Sequence, residues 1–251
     1  MSEAFRNRVR HGVGAGALLL AAIGTGGTVP LGAQPGRSPS APRPAVEAFD
    51  HLVLAVPDLE PAIEALAERT GVRATIGGSH PGRGTRNALL SLGTGYYLEI
   101  IAPDPAQPES KTGEPAQMAE LAQPVLGGWA LRSDDLAAEL ARVRANGLEV
   151  AGPFPGGRDR PDGVKLTWQT AFVSGPLASS MPFLIEWGSG TPHPSLDAPL
   201  LGTLQSLVVV DPDPDSARKA LAALGVDCVV VRGDTVALRA TIATQRGPLE
   251  L

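Results

Sequence analysis

A chain of 251 residues with 43% hydrophobic content is long enough for one large or two small globular domains. Aromatic residues make up only 4%, so aliphatic strands and alanine-rich helices have to supply the core. A net charge of −5 gives no basis for nucleic-acid binding, which needs a clustered basic surface.

In chain order, residues 1–33 read as an export leader. Arg6, Arg8 and Arg10 form a basic start, Leu18 to Ile23 an apolar centre, and Leu31-Gly32-Ala33 a small-residue cleavage site. The apolar run is short and glycine-rich, which argues against a stable membrane span. The expectation is a periplasmic or extracellular protein. Residues 34–45, rich in Pro and Ser, read as a flexible linker.

From Phe49 onward one pattern occurs three times. Each copy opens on a short apolar strand: Phe49 to Val56, Gly128 to Arg132, and Leu204 to Val210. An aspartate suited to capping follows each strand, and then a helix with an apolar stripe. The stripes are Leu59, Ile63 and Leu66, then Leu136, Leu140 and Val143, then Leu221 and Leu224. Each helix stops at a glycine (Gly71, Gly147, Gly225) and is followed by three strand-like segments. The expected fold is α+β, with βαβββ units paired over residues 46–195 into a curved mixed sheet around a central cleft. A third βαβββ-like unit over 196–251 is expected to pack on the same domain. Three is an odd number, and the pattern leaves open whether that unit flanks the same barrel or meets a second copy in a homodimer.

The polar residues within this frame carry the chemistry. His80-Pro81-Gly82-Arg83-Gly84-Thr85 reads as a loop at the cleft mouth, with His80 the candidate general base because histidine titrates near neutral pH. Arg83, Thr85 and the nearby Asn87 are candidate contacts for an anionic or carbonyl substrate. His193, bracketed by two prolines, is placed at the cleft rim. For each of these a plain turn or structural role is the competing reading. Glu99 and Glu186 interrupt apolar strands, and a buried carboxylate needs a partner. For Glu99 that partner is a metal or an arginine such as Arg83 or Arg86. Arg158-Asp159-Arg160 reads as a solvated charge run. Cys228, the single cysteine, lies in an apolar run without an activating neighbour and reads as a buried structural thiol.

Asp50 to Leu59, Gly78 to Leu90, Tyr97 to Pro103, Phe183 to Trp187 and His193-Pro194-Ser195 together resemble the glyoxalase-like domain branch of the vicinal oxygen chelate superfamily. The resemblance covers about Phe49 to Ser195. It implies a divalent metal in the cleft, with His51 on a first strand and Glu99 and Glu186 on last strands as ligands. The fourth ligand position aligns with Gly128, which has no donor atom. A site of one histidine and two carboxylates suits Mn, Fe, Zn or Mg. Such a site implies a small-molecule ligand and a metal-dependent lyase, isomerase or dioxygenase. Without metal, the same cleft would sequester a small molecule, as antibiotic-binding members of the superfamily do.

Overall fold

The structure, a computed structural model, describes residues 42–251. The expected leader, and the linker as far as residue 41, lie outside the described residues. Two short elements open it, β1 (Arg43–Pro44) and α1 (Ala45–Ala48). Unit one comprises β2 (Phe49–Ala55), α2 (Leu59–Thr70), β3 (Thr75–His80), β4 (Thr85–Ser91) and β5 (Tyr97–Pro103). A short α3 (Gly113–Ala119) leads into unit two: β6 (Val125–Arg132), α4 (Leu136–Ala145), β7 (Val150–Asp159), β8 (Lys165–Val173) and β9 (Phe183–Trp187).

The helices form where the apolar spacing predicts. Leu59, Ile63 and Leu66 are buried on α2, and Leu136, Leu140 and Val143 on α4. Asp135 caps α4, its side chain accepting from Ala138 N. Gly71 ends α2 with φ at 78°, a left-handed position that glycine enters without steric cost.

Both units pair their strands alike. The first strand runs parallel to the last, β2 with β5 and β6 with β9, and the other pairs are antiparallel. The units meet through β2–β6 and β3–β7, closing an eight-stranded barrel in the order β2-β5-β4-β3-β7-β8-β9-β6. All seven residues of β2 are buried because the strand is covered on both faces. Leu52 and Leu54 join the surrounding core, while His51 and Val53 face the barrel interior.

The third unit opens on the expected strand and helix, but four strands follow, the expected segment 227–231 being split in two: β10 (Gly202–Asp211), α5 (Pro214–Ala223), β11 (Val226–Asp227), β12 (Val229–Arg232), β13 (Ala237–Thr244) and β14 (Gly247–Glu250). Its pairing differs too. β10 runs parallel to β12, and the sheet order is β12-β10-β13-β14, separate from the barrel. β13 lies against β6, and α1 against β10. Leu204, Leu207 and Leu221 share one apolar core with Leu52 and Trp129 of the barrel units. Among the described residues no helix is long and apolar enough to cross a membrane.

Candidate functional site

The barrel interior is a cavity of about 160 Å³. A single water needs roughly 10–15 Å³ by that measure, so the space suits a small organic molecule. Unit one supplies His51, Val53, His80, Thr85, Asn87, Tyr97 and Glu99 to its wall. Unit two supplies Gly128, Trp168, Thr170, Phe172, Phe183, Ile185 and Trp187. Arg158 at the end of β7, Arg83 on the β3–β4 turn, and Glu114, Pro115 and Met118 on α3 also line it.

Asp50 sets the geometry of His51. Between Phe49 and His51 the β2–β6 register slips, leaving Asp50 as an extra residue. A bulge of this kind re-aims side chains, and here Asp50 reaches its neighbour: Oδ1 lies 2.8 Å from His51 Nδ1. A carboxylate only accepts, so Nδ1 carries the proton, and in the neutral ring Nε2 keeps its lone pair. Oδ2 of the same carboxylate accepts from Arg132 Nε at 2.9 Å and Trp187 Nε1 at 3.2 Å, with His193 Nε2 also at 3.2 Å. Burial would raise this carboxyl, but its bonds to His193 and His51 and their charges hold it well below the usual carboxylate range. The sequence reading passed over Asp50. The available signal was a charged residue inside a fully apolar strand, beside a histidine.

A second chain of bonds runs through Asn87. Arg158 Nη1 donates to Asn87 Oδ1 at 2.9 Å, which turns the amide nitrogen toward Glu99 Oε1 at 2.6 Å and His80 Nε2 at 3.3 Å. His80 Nε2 is then an acceptor, and Nδ1 donates to Thr85 Oγ1 at 2.8 Å. Burial pushes the His80 pKa down to about 4, with the nearby Arg158 and Arg83 charges adding to the effect. The ring is neutral at pH 7 and suited to offering a lone pair rather than taking a proton. Burial acts to raise Glu99, but His80, His51, the Asn87 bond and Arg158 outweigh it and keep the carboxyl below its ordinary value. Glu99 Oε2 lies 3.8 Å from His51 Nε2, and Oε1 lies 3.7 Å from His80 Nε2. Two imidazole nitrogens and one carboxylate thus present lone pairs to a common space.

Several expected positions change. His80 is not on an exposed loop: it ends β3 and is buried, Thr85 begins β4, and only residues 81–84 form the turn. His193 is not among the cavity-lining residues; it packs beneath the site against Asp50 and Ser195. Glu186 does not face the cleft. Side chains alternate along β9, so Phe183, Ile185 and Trp187 point inward and Glu186 outward, where Oε2 accepts from Leu136 N at 2.6 Å. The structure therefore does not bring His51, Glu99 and Glu186 together. Arg158 is no solvated charge, being only 3% exposed at the end of β7. Arg86 pairs with Glu60 and not with Glu99. Sequence reasoning also missed Glu114, which burial raises to about 7 against the lowering effect of Arg83. Cys228 is half-buried and its thiol is pushed up to about 11, which keeps it protonated.

A glyoxalase-like domain model matches residues 49–225. The chain belongs to the glyoxalase-like domain family. No curated protein sequence matches it. Among solved structures, a hypothetical protein from Staphylococcus aureus superposes with a TM-score of 0.59 at 15% identity, over 80% of this chain and 97% of that one. Methylmalonyl-CoA epimerase from Mycobacterium tuberculosis has a TM-score of 0.42 at 22% identity, over 57% of this chain and 89% of that one. A Streptomyces coelicolor methylmalonyl-CoA epimerase in complex with 2-nitronate-propionyl-CoA has a TM-score of 0.43 at 18% identity, over 58% and 97%. These likenesses concern the fold.

The donor chemistry of the family's metal can be tested on the residues present. As placed, no three His, Cys, Asp or Glu side chains among the described residues meet the spacing of an assembled metal site. The character of the donors does fit a divalent ion. His51 and His80 each have Nδ1 tied to an oxygen outside the shared space, the arrangement that orients metal-binding imidazoles, and Glu99 stands between their Nε2 atoms.

Proposed function

We propose that this domain is an enzyme acting on a small carbonyl or otherwise oxygenated compound inside the barrel, with a divalent ion held by His51, His80 and Glu99. The observation that carries this reading is the convergence of His51 Nε2, His80 Nε2 and the Glu99 carboxylate, with the Asn87 amide bonded to Glu99 and His80 beside them. Bound there, a divalent ion would act as a Lewis acid toward substrate oxygen. The chain's own groups do the rest. Asp50 and Thr85 fix the two imidazoles, and Arg158 holds Asn87 so that the amide steadies Glu99. The aromatic wall of unit two seats the substrate and keeps water from the reacting end. Glu114, with a pKa of about 7, is the lining group suited to take and return a proton near neutrality. Proton transfer next to a polarised carbonyl is lyase or isomerase chemistry.

Metal analysis of protein purified without a histidine tag tests this. One equivalent of a divalent metal is expected, lost in His51→Ala, His80→Ala and Glu99→Gln and retained in Glu186→Gln. Metal-free protein that also takes up none on dialysis would overturn it. A second reading, a metal-free binding protein, is favoured by one feature: apart from Arg158, the unit-two side chains lining the barrel interior carry no ionisable group. We further propose that the protein works outside the cytoplasm after loss of residues 1–33. Mass spectrometry of the native protein should then find its N-terminus near Gln34, and an intact cytoplasmic Met1 form would count against export.

A further inference from the structure

The charged side chains lining the cavity are two arginines, Arg83 and Arg158, and two acids, Glu99 and Glu114.

Neither arginine has a carboxylate partner among the described residues. Arg158 makes one side-chain hydrogen bond, to the uncharged amide oxygen of Asn87, although it is only 3% exposed. Arg83 makes one, to the backbone oxygen of Pro155 at 3.2 Å. Some arginines outside this cavity do have carboxylate partners: Arg73 and Arg86 each grip a glutamate with two bonds, and Arg160 holds Asp162 and Asp197, while exposed ones such as Arg144 and Arg246 reach only backbone oxygens. A buried guanidinium with one neutral acceptor is costly unless something else completes it. Gly77 marks how closely Arg158 is accommodated, since a Cβ there would stand 1.9 Å from Arg158 Nη1 and 2.2 Å from Asn87 Oδ1. Arg158 bonds Asn87, and Arg83 lies on the turn closed by its N–H to His80 O, so both stand beside the His80 and Asn87 side of the cavity. Trp168, Trp187, Phe172 and Phe183 also line the cavity, packed with ring centroids 5.5 Å apart in the pairs Trp168–Trp187 and Phe172–Phe183.

We propose that the ligand of this cavity is an organic acid: a carboxylate that pairs with Arg83 and Arg158, carried on a flat, apolar or aromatic body that lies along the Trp168–Phe183 wall. The inference rests on the reading of the barrel as a small-molecule site and adds the chemical class of the molecule. It does not depend on the metal. A guanidinium fork suits a carboxylate, and burial makes such a charge-assisted pair stronger than it is in water.

The test compares 2-naphthoate with its uncharged, nearly isosteric amide, 2-naphthamide, by calorimetry on the full chain after chelator treatment. The acid is expected to bind about tenfold more tightly or better, a difference of about 1.4 kcal/mol. Arg83→Met and Arg158→Met should each shrink that preference severalfold, and the double variant should abolish it. If Arg158→Met does not fold, Arg158→Lys and Arg83→Met carry the comparison. Equal binding of acid and amide overturns the proposal, as does a preference that survives these substitutions, or no binding of either probe at millimolar concentration. Metal analysis separates the two readings. A preserved acid preference in protein that takes up no metal would sink only the metal enzyme. Metal uptake without acid preference would sink only the organic-acid ligand.

Discussion

Unit one turns His51, His80, Asn87 and Glu99 into the barrel, while the strands of unit two turn in Trp168, Phe172, Phe183 and Ile185. Both units use the same strand order and the same parallel pairing of first strand with last. The difference lies in side chains and in parity. Glu99 on β5 points inward, whereas Glu186 on β9 stands one residue out of phase and points outward. Duplicating a βαβββ unit thus fixes a container, and the two walls can then specialise. Unit one supplies most of the polar groups, and unit two, apart from Arg158 on β7, supplies an apolar wall able to hold a ligand. That division gives a ligand an orientation before any chemistry begins.

The largest effect should come from the residue on which the polar half depends. Asp50 is fully buried and joins His51, Arg132, Trp187 and His193. Removing one member of a buried charged set costs about 3–5 kcal/mol. Asp50→Ala should lower the unfolding free energy at pH 7 by about that much in chemical denaturation. A loss below about 1 kcal/mol would show that the network does not anchor the polar half. The stability that ionised Asp50 contributes is full above the unfolded carboxylate pKa of about 4 and falls away as the pH drops below it, because the folded-state pKa is depressed.

Gly77→Ala probes the same half sterically. The added Cβ would collide with Arg158 and Asn87, both pinned by their mutual bond. Overpacking of this sort costs about 1–3 kcal/mol. The variant should lose stability and also weaken whatever Glu99 binds, since Asn87 orients Glu99. A stability loss with ligand and metal binding untouched would uncouple Asn87 from the site.

Much of this architecture is legible in the sequence, and the limits have physical causes. Strands such as β8 appear where the pattern places them, because apolar runs between turn residues report burial directly. The third copy shows what the pattern omits. It opens on strand and helix like the other two, yet β10 runs parallel to β12 rather than to the last strand, and pairing depends on contacts far apart in the chain. Glu186 shows the cost of a one-residue phase error, which moves a side chain to the opposite face of its strand. Asp50 was hidden by a bulge, which interrupts the alternation that the reading relies on. Arg158 looked solvated because its neighbours Asp159 and Arg160 are more exposed, and burial of a single arginine leaves no periodic trace.

A smaller effect should appear at the cavity mouth as a pH dependence. The Glu114 pKa rises from its ordinary 4.5 to about 7 on folding. Between those values the folded state holds more protons than the unfolded state, so stability falls as the pH rises through that window and the penalty persists above 7. Glu114→Gln should match the native chain in Tm near pH 4.5 and exceed it at pH 8. After allowance for solvent screening, a gain of about 1 kcal/mol, or about 3 °C, is reasonable. A Tm difference independent of pH would remove Glu114 as the group that titrates near neutrality.

The smallest effect should come from Glu186, and it separates the two walls most cleanly. Its Oε2 accepts from Leu136 N, the first backbone N–H of α4, while the Asp135 side chain takes Ala138 N. The unsatisfied N–H groups and positive dipole end of a helix favour a carboxylate at this position. Glu186 therefore ties the last strand of unit two to its helix, on the outside of the barrel. Glu186→Gln keeps an acceptor and loses the charge, so it should cost only about 0.3–1 kcal/mol. Glu186→Ala removes the acceptor as well and should cost about 1 kcal/mol or slightly more. Neither should alter metal content or the preference for organic acids, since the side chain does not line the cavity. The outcome that would break the comparison is loss of ligand or metal binding in Glu186→Gln with stability unchanged. That result would mean the carboxylate turns inward in the working protein, and unit two would then contribute an acid to the cavity besides Arg158.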